Sequence, residues 1–561
     1  MAMRNRSQPS DLLPQVALDY VTTLVKKMRY RRVRQDVKAE LHAHFADALA
    51  DCRTDQERQE TAEQLIEAFG DTKLLAKLIR RAKKRCRPLW QKFVIRSAQV
   101  CGVFILYFVL CASRLFIGQP VIKVDTIQWL NQTASQGRSE HLNARPGIEE
   151  AIERLPDWPE GFPFFSRNLK ALSDANDTER RIVDTYLIDC TPALGLLREA
   201  VKKPHYWSHY LPMNDTASEE RSTSVNHSSG RPSPFPTAEL WAHLMEGVMP
   251  RLGKHRHLAQ AMQYQIESDI GQNFGEKALF DGLVLTRFGR HLCGRGLLVE
   301  GQVGNSVVFL GVGEISRILS KVDIDREVLA SAYQDFAALL KIDRPWFTYE
   351  CEKALTYDLI QQGFTDDGQG NGRPLAQGAL AAADTLLDWW KGLLLFDYRG
   401  RRETTQRVDT FYETIHERAN QLTPWEQKNR TETPLEPVGL PLEIKLLGYE
   451  RAAQVNWQMK TSCQATLAVL AIKLYEKTYD GLPGDLADLV TGGILETLPR
   501  DYYSDGPLGY RQTADGFILY SRGEDLKDDG GTPATNDNGE LRRYGSYGDW
   551  VFWPVSPKNQ K

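Results

Sequence analysis

The densest set of oxygen ligands in the chain lies near its C-terminus, where Gly523-Glu524-Asp525-Leu526-Lys527-Asp528-Asp529-Gly530-Gly531 is followed by Asn536-Asp537-Asn538-Gly539. Carboxylates and amide carbonyls on a glycine-rich loop suit calcium, a hard cation that takes roughly six to eight oxygens. The spacing does not fit an EF-hand. Asp525, Asp528, Asp529 and Asp537, with Asp549 further on, are the expected ligand set, and Ca2+ is the one ion the sequence suggests. Other constellations are weaker. His205 and His209 (HYWSH) have the spacing that puts two rings on one helical face, as zinc would need, but no HExxH is present and Tyr206, Trp207 and Tyr210 mark an aromatic packing surface. His42, His44 and Cys52 lack a second cysteine at ligand spacing. Gly301, Gly304, Gly311 and Gly313 have no strand before them and no Walker lysine after, so they read as small residues at a helix contact rather than a phosphate loop. Neither a GxSxG elbow nor a CxxC pair occurs. No residue is expected to be catalytic.

The elements that carry these residues divide by charge. Residues 1–96 hold 21 Lys and Arg against 12 Asp and Glu, and the remainder holds 49 against 61, so the two parts are expected to face different surroundings. Between them, residues 97–113 (SAQVCGVFILYFVLCAS) carry no charge, and apolar residues continue past Arg96 and Arg114, whose long side chains can reach the interfaces. About 20 residues suffice to cross a hydrocarbon core, so one transmembrane helix is expected over 93–118. Residues 77–96 contain nine basic residues and no acidic one, whereas 118–136 contain only Lys123 and Asp125. The positive-inside rule then puts the N-terminus in the cytoplasm and the C-terminal part outside. The first twenty residues lack a continuous apolar core, so the helix is expected to act as its own signal-anchor. The basic flank, with the run Arg29-Tyr30-Arg31-Arg32-Val33-Arg34, is expected to contact anionic lipid; no nucleic acid is expected.

Residues 1–92 read as a helical domain. Val37, Leu41, Phe45, Ala48 and Leu49 recur at helical spacing, Thr54-Asp55-Gln56-Glu57 offers a capping box, and Phe69-Gly70-Asp71 offers a stop followed by a new cap. ELHAHFADAL followed by QLIEAFGDTKLLAKLI resembles the HAAS-type domain of bacterial membrane proteins, also seen as a prefix to permeases. The resemblance covers residues 12–81 and implies a small interaction module.

Beyond the apolar run, helical patterns at 147–155 and 177–197 lie within a segment at 119–210, and residues 211–237 form a polar linker rich in Ser, Thr, Pro and Asn. From 238 to 450 helical patterns follow one another with short connections, as antiparallel hairpins require. Leu252-Gly253, with Leu258, Ala259 and Ala261 after it, resembles the turn of a tetratricopeptide hairpin, with no second copy. Four cysteines fall in the expected outer part, Cys190, Cys293, Cys351 and Cys463; they either pair or stay buried thiols.

The last segment, 451–561, begins with an amphipathic helix and ends in strands. Residues 508–512 and 517–521 alternate around Ala514-Asp515-Gly516, a hairpin signal, and 550–553 supply a third strand. The order of helix, YDGLPGDLADLV, LPRD, strand, FILYSRGED and GDWVFW resembles the globular end of type II secretion major pseudopilins over residues 465–553. That resemblance implies calcium between the last strands, with Asp525 and Asp549 at the matching positions. The preceding helix carries Lys460, Lys473, Glu476 and Lys477, which departs from the apolar assembly helix of that family.

The expected architecture is mainly α: a cytoplasmic helical domain, one transmembrane helix, an extracytoplasmic helical array and a small α+β C-terminal domain with a short antiparallel sheet. The whole layout resembles uncharacterised bacterial single-pass proteins of the inner (cytoplasmic) membrane, a resemblance that implies no activity. The expected function is an envelope scaffold binding a protein partner, in the envelope or in the cytoplasm. A transmembrane sensor or regulator is the first alternative and an extracytoplasmic hydrolase the second.

Overall fold

The computed structural model describes residues 13–28, 31–85, 89–159, 176–211, 236–342, 345–376, 378–379, 385–395, 397–430 and 440–555. The linker expected at 211–237 lies outside them apart from its ends, as do Arg29 and Tyr30 of the basic run. Among these residues the chain forms eighteen α-helices and one three-stranded sheet, divided into compact units Met1–Leu110 and Cys111–Lys561.

In the first unit, α1 (Gln15–Lys26), α2 (Arg31–Ala48), α3 (Asp55–Phe69) and α4 (Thr72–Arg85) precede a long apolar helix. Leu24, Val37, Phe45 and Leu49 are buried together; Ala48 is on the solvent side, one position past the apolar stripe. The capping box forms: the Thr54 hydroxyl accepts from the Glu57 N–H at 3.3 Å, and the Glu57 carboxylate accepts from the Thr54 N–H at 3.2 Å. Gly70 takes φ +72°, where a side chain would be strained, and its N–H closes α3 on the Ile66 carbonyl. The Asp71 carboxylate then accepts from the Lys73 N–H to open α4.

Helix α5 (Leu89–Phe116) holds the apolar run. Residues Phe93–Phe116 have a mean hydropathy of 2.0, and the apolar window within them is wholly unburied. At about 1.5 Å per residue this length exceeds the roughly 30 Å of a bilayer core, so the helix is long and apolar enough to cross a membrane.

The second unit is built around α10 (Gly275–Leu292) and α11 (Leu298–Lys321), which approach closely because glycines face backbone across the contact. A Cβ on Gly304 would lie 2.6 Å from the Cys293 amide nitrogen, and one on Gly311 would lie 2.7 Å from that of Thr286. Backbone cannot rotate away, so Gly304→Ala and Gly311→Ala should each cost about 1–3 kcal/mol. Gly313 faces open space, and Gly313→Ala should stabilise by roughly 0.5–1 kcal/mol through helix propensity. Urea midpoints of the three variants test this, and equal shifts would refute a contact-specific role.

On the pair pack α8 (Asp177–Ala200), α9 (Pro236–Gly271), α12 (Arg326–Leu340) and α17 (Leu440–Tyr479). The unit also holds α6 (Thr126–Ser135), α7 (Arg145–Glu153), α13 (Glu350–Gly363), α14 (Leu386–Leu395), α15 (Arg401–Asn420), α16 (Pro424–Asn429) and α18 (Ala487–Thr491). The tetratricopeptide-like turn is absent. Helix α9 runs unbroken through Leu252-Gly253, because Val248, Leu252, His255, Ala259 and Met262 keep one buried stripe in phase across the glycine. Strands β1 (Gly509–Thr513), β2 (Gly516–Ser521) and β3 (Trp550–Trp553) pair antiparallel in that order, with Thr513 opposite Gly516 at the hairpin. The sheet packs on α17 through Phe517, Leu519 and Phe552, within one hydrophobic core that extends from Leu130 to Trp553. Cys190, Cys293, Cys351 and Cys463 are buried thiols, the second of the two arrangements open to them.

Candidate functional site

The sharpest convergence of polar groups lies where the chain leaves α5. Residues 117–125 form neither helix nor strand and would leave their backbone groups unmatched, but partners arrive from α13 and from the loop after it. The Gln361 side chain accepts from the N–H groups of Lys123 and Val124 at 3.2 and 3.3 Å and donates to the Val124 carbonyl at 2.8 Å, mimicking a strand edge. Asp125 caps α6 by accepting from the Gln128 N–H. In the next residue, the Thr126 hydroxyl donates to Asp358 at 2.7 Å.

The loop 364–376 supplies the second half. Asp366 accepts from the N–H groups of Gly368 and Gly370, two glycines in the left-handed region. Its other oxygen meets Lys123 at 2.7 Å and Arg401 at 3.1 Å. The Lys123 ammonium, backed by these N–H donors and Arg401, pulls the Asp366 carboxyl down to about 2. Arg373 donates to the carbonyls of Ile117, at 2.6 Å, and Arg114, and the Ala376 N–H donates to the Leu115 carbonyl at 2.8 Å. These acceptors are the end of α5, where the last carbonyls have no intrahelical donor. A cavity of about 450 Å³ opens beside this clamp, lined by Lys123, Trp129, Tyr357, Asp366, Arg401 and Arg402 among others. Its size falls within the roughly 300–1,000 Å³ of ligand pockets, with an aromatic wall opposite charged groups. Sequence reasoning placed Thr365–Arg373 only as a loop. The signal it held was an Asp followed by glycines at positions two and four residues on, the pattern of a carboxylate cradled by N–H donors.

The acidic C-terminal loop is partly assembled. Asp549 is fully buried; one carboxylate oxygen accepts from the Gly531 N–H at 2.7 Å, and among the described residues the other has no hydrogen-bond partner. Burial, and then the nearby Asp528 and Asp529 carboxylates, push its carboxyl up to about 6, against the opposing Gly531 N–H. Asp525 accepts from the Gly548 N–H at 3.2 Å, next to Asp549 in sequence, and Asp528 accepts from the Tyr520 hydroxyl at 3.0 Å. Asp537 sits exposed on a separate turn, held between the Thr535 and Leu541 bridge. Among the described residues no three His, Cys, Asp or Glu side chains converge tightly enough to hold a metal by themselves. Backbone carbonyls would have to complete a calcium shell here.

The remaining candidates separate. The HYWSH segment is extended rather than helical, because the His205 backbone bridges to Asn143 and Ala144, so His205 and His209 do not share a helical face. His209 lies 3.4 Å from Glu140, and both are about half exposed. Tyr206, Trp207 and Tyr210 are buried, as an aromatic packing surface requires. Glu300, which gave no signal in the sequence, accepts from the hydroxyls of Ser208 and Tyr210 at 2.6 and 2.5 Å and from the Leu297 N–H at the start of α11. In the first unit, His44 packs on Phe69 and Cys52 on Thr61. No family model matches the chain, and neither a curated protein nor a solved structure matches it.

Proposed function

We propose that this is a non-catalytic, single-pass envelope scaffold, with its N-terminal helices in the cytoplasm and its larger unit outside the membrane, presenting a helical surface to a protein partner. The observation that carries the reading is the clamp of Arg373, Ala376 and Gln361 on residues 114–124. A loose tether needs no such contacts; a scaffold joined firmly to its anchor does. The nine basic residues at 77–96 support the orientation. On α4, Leu74 and Leu78 are exposed beside Lys77 and Arg81, which suits a helix face against anionic lipid. Reporters fused after residues 92 and 155 should report opposite sides of the membrane, and the same side for both would refute the topology. Pull-downs of the full chain should recover one envelope partner, and Arg373→Ala should leave the protein in the membrane while residues 114–124 become several-fold more sensitive to protease. Unchanged cleavage would refute the clamp.

The cavity beside the clamp favours the sensor as second reading, since a ligand there would bear directly on Lys123 and Asp366. Deleting residues 1–81 separates the two: a scaffold keeps its outer interactions, whereas a sensor loses its output. Calcium at the C-terminal loop has its own support in the unpartnered, buried Asp549 oxygen. About 1–10 mM calcium should raise the melting temperature of the full chain and leave that of Asp549→Asn unmoved. An equal rise in both would exclude this site.

A further inference from the structure

A second cavity, of about 310 Å³, lies beside the middle of α17 and contains a lysine in unusual surroundings. Lys460 is half-buried, with its ammonium nitrogen 3.9 Å from the centroid of the Trp457 ring. Its one hydrogen-bond acceptor is the Ala419 carbonyl, at a marginal 3.5 Å. Other lysines of this unit hold carboxylates: Lys477 meets Asp323 at 2.7 Å, and Lys341 meets Glu496 at 2.7 Å. Lys460 has no such ion pair among the described residues. Trp346, Trp457 and Tyr502 wall the cavity, Arg500 contributes a second cation, and among the described residues no acidic side chain lines it. The Arg500 guanidinium is about half exposed and holds Glu426 only at 3.4 Å, so it can turn to an incoming anion.

Charge and shape therefore select a small anion with an apolar or planar body. Burial, and then the buried Arg290 guanidinium stacked 4.1 Å from the Trp346 ring, bring the Lys460 ammonium down to about 7. Near neutral pH a substantial fraction of this side chain is free amine, the form that attacks carbonyl carbon.

We propose that the cavity binds a small carboxylate bearing an aldehyde or ketone, and that Lys460 condenses with its carbonyl while Arg500 holds the carboxylate. The Nζ lone pair forms a C–N bond as the carbonyl π pair moves to oxygen. That oxygen then leaves as water with both protons of the neutral amine, and the product is a neutral imine. No oxidant or reductant enters. Tyr502, in the same wall, is a hydroxyl that can relay one of these amine protons to the departing oxygen.

The test uses the full chain in detergent with glyoxylate as the probe, sodium cyanoborohydride to reduce any imine, and peptide mass spectrometry to map the adducts. Lys460 should be modified at least about ten-fold faster than Lys477 at pH 7, because burial lowers the Lys460 ammonium while Asp323 raises that of Lys477. Arg500→Gln should slow modification by glyoxylate several-fold and leave modification by uncharged acetaldehyde unchanged. Labelling of Lys460 no faster than of the exposed lysines overturns the nucleophile. Equal slowing of both aldehydes by Arg500→Gln, or slowing of neither, overturns the carboxylate site. Both readouts are independent of membrane orientation and of any protein partner.

Discussion

Acidification should destabilise the larger unit steeply between about pH 6.5 and 3, and His255 should account for about 4–5 kcal/mol of that loss. The ring is buried on α9 between Tyr206 and Phe288, and among the described residues neither of its nitrogens has a hydrogen-bond partner. Burial first, then the Arg251 and Arg145 guanidinium groups, depress its pKa to about 3. The unfolded chain binds a proton at this position below about 6.5, whereas the folded chain does not until pH approaches 3. Across that window the unfolded state holds more protons, so stability falls as pH falls. At pH 4.5 the share already lost is roughly 2–3 kcal/mol. His255→Phe keeps a planar ring and removes both the titration and the unmet nitrogens. Its urea midpoint should exceed wild type at pH 7 and the gap should widen at pH 4.5. A gap that stays constant with pH would show that His255 does not titrate with folding.

The two kinds of information in this molecule differ in range, and that decides what the sequence discloses. The capping box at Thr54, the stop at Gly70, the apolar helix and the hairpin at Gly516 depend on residues within a few positions of one another, and all were legible. Of the four glycines of α11 read as small residues at a helix contact, Gly304 and Gly311 lie at the contact with α10, whereas Gly313 faces open space and Gly301 only the Phe347 ring, and the partners Thr286 and Cys293 were not legible. The division of α9 at Leu252-Gly253 failed because a glycine was given more weight than the buried stripe that continues through it. HYWSH failed for a tertiary reason: backbone pairing with Asn143 and Ala144, about sixty residues away, draws it out of helical geometry. The clamp on residues 114–124 joins groups more than 230 positions apart, and Lys460 gains its character from Trp457, Arg290 and a cavity formed by four separate segments. Nothing in a local window marks either. The acidic loop lies between these cases, because composition named all five aspartates while only the fold distinguishes buried Asp549 from exposed Asp537.

Long-range pairing also carries the second large effect, at the Arg198–Asp281 contact between α8 and α10. Asp281 is fully buried, and Arg198 meets it with two parallel hydrogen bonds, Nε to Oδ1 at 2.7 Å and Nη2 to Oδ2 at 2.8 Å. The hydrogen bonds to Asp281 raise the Arg198 guanidinium pKa, so Arg198 stays charged. Two planar groups matched edge to edge satisfy most of the desolvated charge, which a lysine could not do with one ammonium. Arg198→Met should remove the only cation that, among the described residues, reaches both Asp281 oxygens, and leave a buried carboxylate without its partner, at a cost of about 3–5 kcal/mol. The pair itself need not be stabilising overall, because its Coulombic gain is set against the desolvation of both ions. The double variant Arg198→Met with Asp281→Leu should therefore recover most of the loss, since it leaves neither charge unpaired. Denaturant midpoints of the two single variants and the double variant complete the cycle. If the double variant is as unstable as Arg198→Met alone, the loss comes from packing at the α8–α10 contact and not from the stranded charge. Recovery would show that the bidentate pair chiefly specifies how α8 docks on α10, a role that apolar substitutes can match in energy but not in directionality.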